Sequence, residues 1–214
     1  MSDAGWVVAA LTAAAMVADW WAVARHRPAI ERLAKPAAMV GLLGVALLAG
    51  APDSDAGRWL LLALAFGLLG DVMLLSDSPG RFVAGLSAFL LGHLAYVASF
   101  LSVGLDEPWL GVLGGAVLLV ALLVGRGILP GALALGGPGL AAAVAAYMSV
   151  MGAMLVLGWA TGRLLVGLGT SLFVVSDTVL AIGRFVRAGG WTLPTVMVTY
   201  HLAQVLIVIG VLAS

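Results

Sequence analysis

Residues 58–75 read RWLLLALAFGLLGDVMLL, and one acid, Asp71, interrupts an apolar run long enough to cross a membrane. Residues 163–183, RLLVGLGTSLFVVSDTVLAIG, place Asp177 in the same situation. The residues after each acid are also alike. Gly70-Asp71-Val72-Met73-Leu74 is succeeded by Arg81-Phe82 and then by His93-Leu94-Ala95-Tyr96-Val97. Ser176-Asp177-Thr178-Val179-Leu180 is succeeded by Arg184-Phe185 and then by His201-Leu202-Ala203-Gln204-Val205. An ionisable group in hydrocarbon costs about 2.5–3.5 kcal/mol even on lenient insertion scales, so its default reading is functional. Two such groups in related frames predict a duplicated helix pair that brings two carboxylates to one buried site.

The rest of the composition sets the class. The chain is 63% hydrophobic and only 9% charged, with mean hydropathy +1.17. So few charges would not cover the surface of a soluble domain of 214 residues. The expectation is an all-α polytopic membrane protein forming a single integral membrane domain over residues 1–214. Formal net charge is zero, so nothing points to a nucleic-acid partner. The absence of cysteine excludes disulfides, thiolate metal sites and a cysteine nucleophile. The dispersed glycines suit close helix packing in lipid. Residues 4–24 lack a positively charged leader and contain Asp19, so they read as a first transmembrane helix rather than a cleaved signal peptide.

Apolar runs between Gly, Pro and charge predict eight spans, at 4–24, 36–51, 58–75, 81–103, 109–125, 138–158, 163–183 and 191–213. Pro36 and Pro138 suit helix first turns, while Pro79-Gly80 and Pro130-Gly131 mark tight loops. Loops after the first, third, fifth and seventh spans hold Arg25, Arg27, Arg32, Lys35, Arg81, Arg126, Arg184 and Arg187. The opposite side holds Arg58 and Arg163. Basic loops stay in the cytoplasm, so both termini are expected outside it. Asp71 then lies about 6 Å, and Asp177 about 9 Å, from the inner end of its helix. A polar site open to the cytoplasmic side is expected. Four crossings separate the two aspartate frames; an even number preserves orientation and predicts parallel pseudo-repeats, 1–103 and 104–214.

Helical spacing sorts the remaining polar residues. Gly85, Phe89, His93 and Tyr96 form one stripe, and Thr170, Phe173, Asp177, Leu180 and Arg184 another. His201 and Gln204 share a face that Tyr200 adjoins, and Tyr147 lies towards mid-bilayer. Interhelical hydrogen bonds, worth about 0.6 kcal/mol each on average, are the structural alternative for the tyrosines and Gln204. Asp19 is expected to pair with Lys35 or Arg25, and Asp77 to sit in a solvated loop. A zinc site built from His93, His201 and an aspartate would supply three protein ligands. The aspartates are placed shallower than the histidines, so no metal and no cofactor is expected. Paired membrane aspartates and repeats also suit a proton-coupled transporter, a lipid flippase or a lipid-binding membrane protein.

Gly70-Asp71-Val-Met-Leu, then Gly85-Leu-Ser-Ala-Phe89-Leu-Leu-Gly-His93-Leu-Ala-Tyr96, then Ser176-Asp177 with Arg184-Phe185, resemble the YhhN/TMEM86 family of lysoplasmalogenases. Lys35-Pro36, Tyr147-Met148 and Tyr200 to Gln204 are similar to family positions as well. The resemblance spans most of the chain, with the motifs in family order. It implies hydrolysis of the vinyl-ether bond of a lysoplasmalogen, releasing a fatty aldehyde and a glycerophospho-headgroup. The implied partner is a membrane lysophospholipid, and a bacterial inner membrane is the expected location. Such hydrolysis needs an acid to protonate the alkene and a base to activate water, which assigns Asp71 and Asp177 as the reacting pair. Glycosidases treat a similar cation with two carboxylates. Lys35, Arg184, His93, Tyr96, Tyr147, Tyr200, His201 and Gln204 are then supporting or substrate-binding residues, Lys35 as a point charge for the lipid phosphate.

Overall fold

The computed structural model describes residues 2–76, 78–187, 189 and 192–213. Asp77, expected in a solvated loop, lies outside the described residues, as does Trp191, where the last span was expected to begin. Every regular element among the described residues is helical. The α-helices are α1 (Asp3–Ala24), α2 (Pro28–Leu48), α3 (Asp55–Leu74), α4 (Pro79–Val103), α5 (Gly111–Val124), α6 (Ile128–Ala160), α7 (Leu164–Phe185) and α8 (Thr192–Leu212). Short 3₁₀ turns, Ala51–Asp53 and Pro108–Leu110, precede α3 and α5.

Six of these helices, α1, α3, α4, α6, α7 and α8, are long and apolar enough to cross a membrane. This makes the chain an integral membrane protein. The other two differ for visible reasons. α2 carries Glu31, Arg32 and Lys35 in its first half. α5 has 14 residues and is only about 21 Å long.

Local chemistry sets the ends. Ser2 and Ser54 cap α1 and α3, their hydroxyls accepting the N–H of Gly5 at 3.3 Å and of Gly57 at 3.0 Å. The turn from α1 to α2 places His26 at φ 51°, a left-handed position more often held by glycine. Pro28 then opens α2.

Three expectations about proline are corrected here, the first being that Pro79-Gly80 forms the first turn of α4 and not a loop. α2 begins at Pro28, so Pro36 lies inside the helix and not in its first turn. The charges at 31, 32 and 35 ended the apolar run, but Ala-Ile-Glu-Arg-Leu-Ala-Lys is a good helix-forming sequence. Pro130-Gly131 is not a loop either. It lies in the first turn of α6, where a missing N–H is harmless. Pro138 does open a helical segment, because α6 is broken at Gly136 and Gly137. Gly137 has φ 70° and ψ −168°, a conformation that side chains disfavour.

The chain divides into two compact units: Met1–Gly104 with Val208–Ser214, and Leu105–Ile207. In the first, α2 packs on both α1 and α3, and α3 makes its broadest contact with α4. A Cβ on Gly70 would stand 2.6 Å from the Phe89 ring, so glycine there lets α3 and α4 approach. The Ser99 hydroxyl adds a bond to the Ala56 carbonyl at 2.8 Å. In the second unit, α6 packs on α5 and α7. The Ser176 hydroxyl on α7 donates to the Val196 carbonyl on α8 at 3.1 Å.

Candidate functional site

In the first unit, three ionisable residues fall on the inward stripes of three successive helices. α1 buries Thr12, Met16, Asp19, Ala22 and Val23; α2 buries Ala34, Lys35, Ala38, Met39, Leu42 and Ala46. α3 buries Leu60, Ala63, Leu64, Gly67, Gly70 and Asp71. These are i, i+3, i+4, i+7 patterns, so the apolar positions that pull each helix inward carry its charged residue with them. The Lys35 ammonium is 3.2 Å from the Asp71 carboxylate, with both side chains almost wholly buried.

Lys35 is thus the counter-ion of Asp71, and only 5% exposed, rather than an interfacial charge facing lipid. The expectation for Asp19 is corrected with it. Asp19 is 0% exposed, and neither carboxylate oxygen has a hydrogen-bond partner among the described residues. It interacts with Lys35, Glu31 and Asp71 only at charge–charge range.

Around this cluster, the Arg81 guanidinium donates to the Val72 carbonyl at 3.2 Å, tying the start of α4 beside the end of α3. On α4 the stripe of Gly85, His93 and Tyr96 is buried. His93 Nδ1–H donates to the Phe89 carbonyl at 2.7 Å, which fixes the ring's tautomer. Tyr96 stacks on Phe100 with ring centroids 6.0 Å apart.

The second unit holds the other aspartate. The buried stripe of α6 includes Val144, Tyr147, Met151, Met154, Leu155 and Gly158. The Tyr147 hydroxyl on it donates to Asp177 Oδ2 on α7. Along the predicted α7 stripe, Thr170 and Phe173 are buried, Asp177 and Leu180 half-buried, and Arg184 exposed. Asp177 is therefore less enclosed than expected, because the stripe turns outward towards the end of the helix. Tyr200 meets Phe173 edge-on at 5.4 Å and adjoins His201 at 5.5 Å. His201 and Gln204 are fully buried.

The two aspartates also differ in position along their helices. Asp71 is in the last turn of α3, while Asp177 is about two turns from the end of α7. α7 runs to Phe185, past the boundary expected from the glycine at 183. Reading the sequence missed the Lys35–Asp71 and Tyr147–Asp177 pairs, and the inward position of Asp19. The spacing 34/35, 38/39, 42, 46 carried the signal for Lys35, but only if α2 is begun before Pro36. Among the described residues no group of three or more His, Cys, Asp or Glu could hold a metal ion.

A donor from a neighbouring helix thus meets each aspartate, an ammonium for Asp71 and a phenol for Asp177. This is an all-helical integral membrane protein whose polar chemistry sits on helix stripes rather than in loops. The chain belongs to the YhhN family, which it matches over residues 30–211. It is 34% identical over 189 residues to lysoplasmalogenase TMEM86B of Homo sapiens, covering 86% of this chain and 79% of that protein. It is 36% identical over 152 residues to lysoplasmalogenase TMEM86B of Sus scrofa, covering 71% and 62%. With lysoplasmalogenase TMEM86A of Bos taurus the identity is 28% over 169 residues, covering 72% and 65%. The chain therefore spans just under two thirds of the latter two relatives. No solved structure matches it.

Proposed function

We propose that the protein hydrolyses the vinyl-ether bond of a lysoplasmalogen, releasing a fatty aldehyde and a glycerophospho-headgroup, with Asp71 and Asp177 as acid and base. The observation that carries this reading is the 34% identity to a lysoplasmalogenase across 86% of the chain. The holding of each aspartate by a donor from a neighbouring helix supports it, since an acid–base group must be oriented before it can react.

The chemistry balances on two carboxyl groups. A carboxylic acid gives its proton to the alkene carbon remote from the ether oxygen, leaving an oxocarbenium ion. A carboxylate takes a proton from water as the water oxygen bonds to the cationic carbon. The resulting hemiacetal loses its hydroxyl proton as the carbon–oxygen bond to glycerol breaks, and the glycerol oxygen takes up a proton. The products are aldehyde and alcohol, with one water consumed.

The same reading has all eight helices crossing a bacterial inner membrane as two parallel pseudo-repeats. Both termini lie outside the cytoplasm, and the reacting groups open towards it.

The test is aldehyde and fatty-acid release by detergent-purified protein given lysoplasmalogen or an ester lysophospholipid. Aldehyde from the first and no fatty acid from the second is the expected result. Asp71→Asn and Asp177→Asn each keep the side chain's size and remove acid–base function. Each is expected to lower turnover by at least ~10²-fold. Full aldehyde release by either folded variant would show that the two-carboxylate mechanism is wrong.

A further inference from the structure

Asp19 is the group that the proposed reaction does not use. It is 0% exposed, on the inward stripe of α1, and both of its oxygens lack a hydrogen-bond donor among the described residues. The lysine that interacts with it, Lys35, stands 3.2 Å from Asp71. Buried carboxylate oxygens are normally satisfied, and an exception calls for a reason. Two acids share one buried cation here, and the second acid has acceptor capacity to spare.

We propose that Asp19 is a specificity residue that accepts a hydrogen bond from the free hydroxyl on the second glycerol carbon of a lysolipid. This rests on the lysoplasmalogenase reading. The hydroxyl distinguishes a lysolipid from its doubly chained parent. In the parent that oxygen carries an acyl group, which offers acceptors where Asp19 needs a donor. A site built to bond a substrate hydroxyl rejects the analogue lacking it far more strongly than an apolar pocket rejects a change in size. The other donor on such lipids is a headgroup ammonium. It is a donor only where the nitrogen carries hydrogen, as in ethanolamine and not in choline, and the experiment below separates it from the hydroxyl.

The experiment compares two substrates, a lysoplasmalogen and its analogue methylated on the same hydroxyl, which removes the donor for little added bulk. Wild-type protein is expected to favour the hydroxyl compound in kcat/KM by at least ~10²-fold. In Asp19→Leu, similar in size and without acceptors, that ratio is expected to collapse to within about threefold of unity. Asp19→Asn keeps one neutral carbonyl acceptor and should fall between them, which gives a readout if the leucine variant does not fold. A wild type that treats both compounds alike, or a folded Asp19→Leu that keeps the ratio, overturns the role of Asp19 while leaving the activity standing. The hydroxyl assignment is also overturned if Asp19→Leu keeps that ratio but loses discrimination between ethanolamine and choline headgroups. Wild-type protein releasing aldehyde from neither compound overturns the activity itself, and this inference with it.

Discussion

At the scale of single residues, the ion pair between Lys35 and Asp71 sets the terms. Both side chains are out of solvent, so their mutual attraction offsets a large desolvation cost. Removing one partner takes the counter-charge from a buried ion, which typically costs about 3–5 kcal/mol. Lys35→Met is therefore expected to lower the unfolding free energy by about 3 kcal/mol. Adding Asp71→Leu should recover part of that loss, because it removes the carboxylate nearest the lost ammonium while Asp19 stays buried without its cation. Unfolding titrations in detergent would show it, and an unchanged midpoint for the single variant would mean that the pair contributes nothing. Tyr147 calls for a smaller expectation, since Asp177 is half-buried and retains other ways to be solvated. Tyr147→Phe removes one donor, worth about 0.6–1.7 kcal/mol between membrane helices. If that bond orients Asp177 for the reaction, kcat should fall about tenfold, a change of about 1.4 kcal/mol in barrier, with KM little altered. A fall in stability with kcat unchanged would make the tyrosine purely structural. Asp71 and Asp177 were legible in the sequence because acids in apolar runs stand out. Their partners were not, because a pair between helices depends on which stripes face each other.

At the scale of elements, the glycines separate by what surrounds them. A Cβ on Gly131 would stand 2.1 Å from the backbone carbonyl oxygen of Phe185, pressing the start of α6 against the end of α7. Backbone does not yield as a side chain tip does. Gly139, further along α6, has nothing within 4 Å of its Cβ position. Alanine gains up to about 1 kcal/mol over glycine in a helix, whereas overpacking costs about 1–3 kcal/mol. Gly131→Ala is therefore expected to destabilise on balance and Gly139→Ala to stabilise slightly. Thermal melts of the two variants side by side check the signs, and equal shifts would show that the contact at 131 is loose. The contact also explains why Pro130-Gly131 was misread as a loop: these are turn residues by habit, yet the glycine serves helix contact and the proline sits where no N–H is required. The start of α2 was misread for a related reason. Hydropathy reports where apolar residues run together, not where a helix begins, and a helix whose first turns are charged escapes it. The long apolar helices α3, α4, α7 and α8 were legible because length and composition together leave few alternatives.

At the scale of the whole molecule, the arrangement in the membrane depends on which helices cross. Lys35 is buried and ion-paired, so it leaves the set of loop charges that orient the protein. Arg58, on the other side, is paired with Asp55 at 2.5 Å and also bonds the Pro52 carbonyl. The remaining asymmetry still places Arg25, Arg27, Arg32, Arg81, Arg126, Arg184 and Arg187 against Arg58 and Arg163, and predicts both termini outside the cytoplasm. Six helices crossing would leave both termini on one side just as eight do, so tagging the termini does not decide whether α2 and α5 span. The absence of native cysteine gives a direct way to decide. Arg27→Cys and Asp53→Cys mark the two ends of α2; Asp106→Cys and Arg126→Cys flank α5 and its preceding turn. All four positions are exposed. With an impermeant thiol reagent applied to intact cells, the cysteines at 53 and 106 should react. Those at 27 and 126 should react only after permeabilisation. Labelling of both members of a pair from the same side would show that the helix between them does not cross. Protection of 53 and 106 with labelling of 27 and 126 would invert the whole protein, and the proposed opening of the reacting groups towards the cytoplasm would be wrong.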